Sequence, residues 1–443
     1  MFSNKDLRKL IIPLVIEQLL AVTIGMADTV MVSSCGEAAV SGISLVDSIN
    51  FLLITLFSSL ATGGAVIASQ YIGRGDHKSA SLAAKQLFYA SLALSAVLGV
   101  IAVFFRKPVL NMVFGSIEAD VMAHAQIYFL LSAISYPFLA VYNAGAALFR
   151  SMGDSRTTML ISILMNTINI VGNAILIYGF QMAAAGAATA SLVSRAVGAI
   201  IITVLLLNPR RIIFYDKLHK PEIHLSMLKS ILQIGVPNGL ENSIFQIGKI
   251  LVASIVSGFG TISITANAVA GNLASLQVIP GMALGMAMIT VVGQCIGAKD
   301  YEAVKKYTKK LMLITYGVVW AMTLLMLLFS KQILSFYSLS EETTTMTMEV
   351  FIVHGICAVI VWPLAFALPN ALRAANDVRF TMIVSLLSMG IFRIGFSYIL
   401  AIYFNMGILG TWIAMCIDWF CRGACFVIRF ARGKWKNISF IDN

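Results

Sequence analysis

QYIGRGD at residues 70–76 returns 224 residues later as QCIGAKD at residues 294–300, and the second copy keeps the Gln, Ile, Gly and Asp of the first. The same offset carries Pro13 onto Pro237, Glu17 onto Glu241, Ser33 onto Ser257 and Gly36 onto Gly260. At an offset of 223, RSMGDSRTTM from Arg150 meets RAANDVRFTM from Arg373, and two Arg, one Asp, one Thr and one Met coincide. Apolar stretches align with almost anything, but polar identities held in near-constant register do not. The chain is therefore one unit written twice.

What lies between these landmarks is apolar. Of 443 residues, 59% are hydrophobic and 12% charged, with a mean hydropathy of +0.89, far outside soluble composition. A hydrocarbon core about 30 Å thick needs roughly 20 apolar residues per helix, and the sequence offers twelve such runs, from 10–32 and 46–71 through 380–404 and 406–429. The fold class is an all-α integral membrane protein: twelve transmembrane helices in two pseudo-symmetric six-helix lobes, a parallel repeat. The expected division is an N-terminal lobe at 1–207, a flexible cytoplasmic linker at 208–229 and a C-terminal lobe at 230–443. Six spans per half start both halves on one side of the membrane, the plan of transporters whose substrate site lies between the halves near the midplane.

The net charge of +11 is spread by side rather than by patch. Lys and Arg crowd the turns that would face the cytoplasm, whereas the opposite loops carry only Arg106, Lys107 and Lys331. That bias puts both termini in the cytoplasm and excludes a nucleic-acid reading of the charge. The first apolar run lacks a small-residue cleavage pattern and reads as a retained span. The six cysteines show no zinc spacing and read as buried thiols.

An ionisable residue at mid-bilayer costs about 2.5–3.5 kcal/mol on insertion scales, so each is a functional candidate. Asp28 in GMADTVMV has small neighbours and no cation within a helical turn; it reads as a cation or proton site, or as a structural partner of Arg195. Glu241 follows Pro237 in a polar stretch with Asn238, Asn242 and Gln246, either a substrate-binding site or a contact with Lys249. Glu17, its repeat mate, is a coupling or a structural group. Arg393 and Asp418 lie at similar depth from the inner ends of adjacent spans and are expected to form a structural ion pair. Asn166, Asn169 and Asn173 in span 5 bond across a cavity or between helices. His354 stands alone and reads as a satisfied interface histidine. Tyr136, Trp362 and Phe366 line a lipophilic pocket or pack between helices, and Pro137, Pro280, Pro363 and Pro369 are expected to bend their spans.

Taken together, ADTVMVSSCGEAAVSG at 27–42, the two turns at Gln70 and Gln294, the Arg-to-Asp turns at Arg150 and Arg373, NIVGNAILIYGF at 169–180 and PNGLEN at 237–242 resemble the multidrug and toxic compound extrusion (MATE) family of bacterial transporters over essentially the whole chain. The resemblance implies antiport, in which downhill Na⁺ or H⁺ drives export of lipophilic, often cationic compounds by alternating access. It implies no cofactor. Asp28 matches the family's first-helix acid assigned to cation coupling, and Asn169 the polar fifth-helix residue beside it. One branch has an acid where Asn173 stands. Another has acids where Trp362 and Phe245 stand, so its C-terminal ligand set is missing here.

The expected partners are small lipophilic or cationic molecules and membrane lipids, with no nucleic acid, and the chain is expected to act as a monomer in the bacterial cytoplasmic membrane. The rivals are a lipid-linked precursor flippase, which would need a larger cationic cavity, and a membrane-embedded enzyme, which would need clustered His, Asp or Cys.

Overall fold

The computed structural model describes residues 2–115, 118–216, 218–220, 222–337 and 339–440. Among these, every regular element is a helix: α1 (Asn4–Ser33), α2 (Glu37–Arg74), α3 (His77–Phe114), α4 (Ala119–Ser151), α5 (Ser155–Gly179), α6 (Ala183–Leu206), α7 (Leu225–Ser257), α8 (Thr261–Gly297), α9 (Tyr301–Leu328), α10 (Glu341–Ile360), α11 (Val378–Tyr403) and α12 (Gly407–Ala431), with short helices at Ser330–Ser335 and Leu368–Ala374. Eleven of the described helices, α2 to α12, are long and apolar enough to span a bilayer. With the 30 residues of α1, about 45 Å at 1.5 Å per residue, the chain has the twelve spans expected.

The repeated motifs are helix-to-helix turns, and their residue types follow from backbone geometry. Gly75 ends α2 in the left-handed region (φ 80°) and Asp76 then caps α3, accepting from the Ser79 N–H at 3.0 Å. In the second copy the left-handed position is Lys299 (φ 57°), and Asp300 caps α9 through the Ala303 N–H at 2.9 Å. The Arg-to-Asp turns behave alike: Gly153 (φ 81°) precedes Asp154, which caps α5 on Thr157 at 3.1 Å. Their second copy has Asn376 (φ 67°) and Asp377. There the carboxylate does not cap; both its oxygens accept from Arg429, at 2.6 and 3.0 Å. A capping oxygen satisfies helix N–H groups that have no intrahelical partner, which accounts for Asp at three of the four turns; at the fourth Asp377 holds Arg429 instead.

By internal contact the chain forms two units, Phe2–Gly239 and Leu240–Asn443. In the first, α2 and α7 meet backbone to backbone: a Cβ on Gly63 would lie 2.5 Å from the Ile231 carbonyl oxygen. The connection from 208, expected to be a flexible linker, contacts the first unit at several of its described residues. Ile213 and Tyr215 are buried, Gln86 Nε2 donates to the Glu222 carbonyl at 2.7 Å, and the Tyr89 hydroxyl donates to that of Leu218 at 2.9 Å. These bonds give α3 a hold on the connection that composition does not reveal. By contact the chain divides between Gly239 and Leu240, within α7, whereas the C-terminal lobe was expected from 230.

In the second unit α7, α8, α9, α10 and α12 pack around Trp362, Trp412 and Trp419. The prolines act as expected at one place: Pro363–Ala367 widens into a π turn. Further π turns occupy Ala174–Gly179, Met389–Gly395 and Ile399–Tyr403. The buried-thiol reading holds for Cys295 only: Cys35 and Cys421 are half-buried, Cys425 is exposed, and the remaining two are not thiols. Cys357 and Cys416, 59 residues apart, are joined in a disulfide with Cα atoms 5.9 Å apart, a pairing made by tertiary packing that spacing does not encode.

Candidate cation-coupling site and its supporting ion pairs

In the first unit α1 and α5 run against one another and bring three of the expected residues together. The Asn173 amide donates to Asp28 Oδ1 at 2.6 Å. With its amide nitrogen toward Asp28, Asn169 donates to Oδ1 at 2.7 Å and to Oδ2 at 3.3 Å while its oxygen accepts from the Ser191 hydroxyl at 3.0 Å. Asn169 and Asn173 are buried, and Asn173 Oδ1 has no hydrogen-bond donor. The result is a half-buried carboxylate with a free amide oxygen beside it. A hard cation binds through such oxygens, and α5 presents them where it passes from α-helical to π-helical geometry after Asn173. Wide turns of this kind recur at functional sites.

A second polar cluster lies on α2, α4 and α6 of the same unit. Asp47 Oδ1 accepts from the Tyr128 hydroxyl at 3.0 Å and from Asn50 Nδ2 at 3.2 Å. Tyr136 in turn donates to Asn50 Oδ1 at 2.7 Å. Arg195 donates to the Ser135 hydroxyl at 2.7 Å and acts electrostatically on both Asp28 and Asp47. The suggested pairing of Asp28 with Arg195 is not made; asparagine amides hold Asp28 instead. Tyr136, a candidate pocket residue, is fully buried with its hydroxyl engaged, so it belongs to the helix packing. Asp47 and Ser191 escaped the sequence reading. Asp47 is the second residue of the predicted span 46–71 and looks like a span end, whereas α2 begins nine residues earlier, at Glu37.

The repeat-paired glutamates occupy matching ion pairs. Glu17 Oε1 lies 3.3 Å from Arg150 Nη1, and its other oxygen accepts from the Thr158 hydroxyl at 2.7 Å. In the second unit Glu241 Oε1 lies 2.8 Å from Arg373 Nη2 and accepts from the Ser385 hydroxyl at 2.7 Å. All four charged side chains are at most 18% exposed. The hydroxyl partner has moved one turn, since Thr158 is the repeat mate of Thr381 rather than Ser385. Glu241 thus pairs with Arg373 and not with Lys249. Asn238 is buried, Asn242 and Gln246 are half-buried, and Trp362 is packed against Phe366 with ring centres 5.2 Å apart. Only 3% of Trp362 is exposed, so it too is packing rather than pocket lining.

The expected pair of Arg393 and Asp418 is not formed. Asp418 accepts from the Ser388 hydroxyl at 2.5 Å and stands 3.7 Å from Arg422, one turn further along α12. The depth estimate assumed ideal helix, but Arg393 sits in the π turn Met389–Gly395, which rotates it off the expected face. His354 is satisfied as predicted, Nδ1 lying 2.8 Å from Gln277 Oε1.

Twelve helices on a duplicated six-helix plan, with carboxylates and amides facing one another inside the spans, define a multi-pass membrane transporter. The MatE family profile matches residues 13–175 and 237–399, two segments separated by the repeat offset itself, and the chain belongs to that family. It is similar to the uncharacterized transporter YisQ of Bacillus subtilis, 26% identical over 429 residues, covering 96% of this chain and 93% of that one. It is also similar to the probable multidrug resistance protein NorM of Bacillus cereus, 29% identical over 434 residues, covering 95% and 93%. Among solved structures, an outward-facing multidrug resistance MATE family transporter of the MOP superfamily superimposes with a TM-score of 0.89 at 21% identity, covering 98% and 97% of the two chains. MATE in the bent conformation gives 0.88 at 20% identity, covering 97% and 94%. The chain is a transporter, not an enzyme.

Proposed function

We propose that this chain is an antiporter of the bacterial cytoplasmic membrane, with both termini cytoplasmic, that exports lipophilic, often cationic compounds by alternating access. Inward Na⁺ or H⁺ drives it, and Asp28 is the coupling carboxylate. The observation that carries the reading is Asp28 held by Asn169 and Asn173, with the orphan Asn173 Oδ1 at its side. A proton can neutralise that carboxylate, or Na⁺ can be ringed by its oxygens and the amide oxygen. In a low-dielectric span, charge on Asp28 is costly until a cation arrives, so a coupling ion and a cationic substrate disfavour one another. Mutual exclusion of this kind is sufficient for exchange. Multidrug resistance is what the name of the NorM relative describes, and export of drugs is a way to confer it. Glu17 and Glu241 serve in this scheme as latches fastening α1 and α7 to the turns after α4 and before α11.

The test is efflux of a fluorescent lipophilic cation from proteoliposomes, imposing a Na⁺ gradient and a pH gradient separately with the membrane potential clamped. Efflux under one gradient establishes antiport and names the ion. No efflux under either, from folded protein, removes the drug antiport reading in favour of the lipid-linked flippase.

A further inference from the structure

Three cations stand together inside the second unit around one carboxylate. Lys249 on α7 and Arg422 on α12 share the Phe245 ring, at 5.2 and 5.4 Å from its centre. Arg422 stands 3.7 Å from Asp418, and Arg393 on α11 is close enough to Lys249, Arg422 and Asp418 for their charges to act on one another. The neighbouring Glu241 is already taken by Arg373. The cluster therefore holds a surplus of two positive charges. Arg422 is 2% exposed, and its Nε and Nη2 make no hydrogen bond; nor do Nε and Nη1 of Arg393 or Nε1 of Trp419, all buried. Buried donors without acceptors are costly, and unpaired buried cations more so.

Aromatic rings form the wall of this cluster. The Arg422 guanidinium lies 4.5 Å from the Phe366 ring centre and 5.4 Å from that of Phe245, and Lys249 Nζ lies 5.2 Å from Phe245 on the same ring. Lys249 is exposed and both Phe rings are half-buried, so the cluster is open at its Lys249 end. Its repeat counterpart is opposite in character. Asp28, Asn169 and Asn173 correspond to Val252, Phe392 and Phe396, and Arg195 corresponds to Asp418.

We propose that Lys249, Arg393 and Arg422 form an anion-binding site that takes the carboxylate or sulfonate of an aromatic organic substrate, with Phe245 and Phe366 against its ring. A planar carboxylate accepts two parallel bonds from a guanidinium, and a π-face beside the cations suits an aromatic body. The site extends the substrate range beyond the cationic compounds of the antiport reading.

The experiment is calorimetric binding of 2-naphthoate and of its neutral analogue 2-naphthamide to the full chain in phosphatidylcholine nanodiscs, with empty discs as the blank. No gradient is present, so failure here is separate from failure of antiport. Naphthoate is expected to bind at least tenfold more tightly than the amide. Lys249→Gln, at an exposed position that folding tolerates, and Arg393→Gln are each expected to weaken naphthoate at least fivefold while leaving the amide unchanged. Equal affinities for the two probes, or a preference that survives both substitutions, would overturn the proposal. Discs containing phosphatidylglycerol separate the two sources of an anion: unchanged naphthoate affinity supports a free organic anion, and its abolition assigns the site to a lipid headgroup and sinks the substrate claim.

Discussion

Asp28 and Glu241 are both carboxylates inside spans, yet their neighbours set them apart. Asp28 has neutral amides; Glu241 has a guanidinium at 2.8 Å. Asp28→Asn keeps the shape and removes the charge, so it should abolish gradient-driven efflux while leaving thermal unfolding within a few degrees of the parent; cells that express it normally and keep their resistance would exclude Asp28 from coupling. Glu241→Gln should behave in the opposite way. It leaves Arg373 buried without its counter-charge, although the bond from its Nη1 to Asn370 Oδ1 remains. Losing the counter-charge costs about 3–5 kcal/mol, and the double variant Glu241→Gln with Arg373→Gln should recover part of that loss. An unaltered melting temperature with a changed substrate range would return Glu241 to the transport site. The sequence marks both carboxylates because polar residues in apolar runs are conspicuous. It does not reveal which cation meets which anion, because the partners lie 132 or more residues away. The disulfide was hidden because tertiary packing brings together cysteines 59 residues apart, and the position of Arg393 because it sits in the π turn Met389–Gly395.

The turns are the most legible elements, for they depend on local chemistry alone. A left-handed residue followed by a capping Asp is a signal read within a few residues. Gly75→Ala tests it cleanly: an added Cβ meets nothing within 4 Å, so the cost is purely conformational, about 1–2 kcal/mol, seen as a lower melting temperature with unchanged transport. Gly63→Leu probes the other use of glycine, close approach. Its side chain would collide with the backbone of α7 at Ile231 and Gly235, and loss of folded protein in size-exclusion chromatography is expected. The π turns were not legible. Proline marks only one of the four, Pro363–Ala367, and the others arise where packing forces an extra residue into the ladder, which shifts every later side chain off the face that a 3.6-residue count assigns.

At the scale of the molecule, class and repeat could be read before any coordinates, because spans of about 20 apolar residues and polar landmarks in register are long-range patterns that mutation blurs slowly. Charge asymmetry makes a topological prediction: cysteines placed at 107 and 331 in a cysteine-free background should react with an impermeant thiol reagent from outside intact cells, and one at 78 only after permeabilisation; the reverse pattern would invert the orientation. The two buried glutamate pairs bear on how such a chain is made. Glu17 and Arg150 are 133 residues apart, and ribosomes add roughly 5–20 residues per second. The first helix therefore enters the bilayer on the order of ten seconds before its counter-charge has been synthesised, and the second half repeats the wait between Glu241 and Arg373. During each interval the nascent helix must stay beside the insertion machinery or rest its carboxylate at the headgroups, so biogenesis of this protein proceeds with two timed pauses at the lipid boundary.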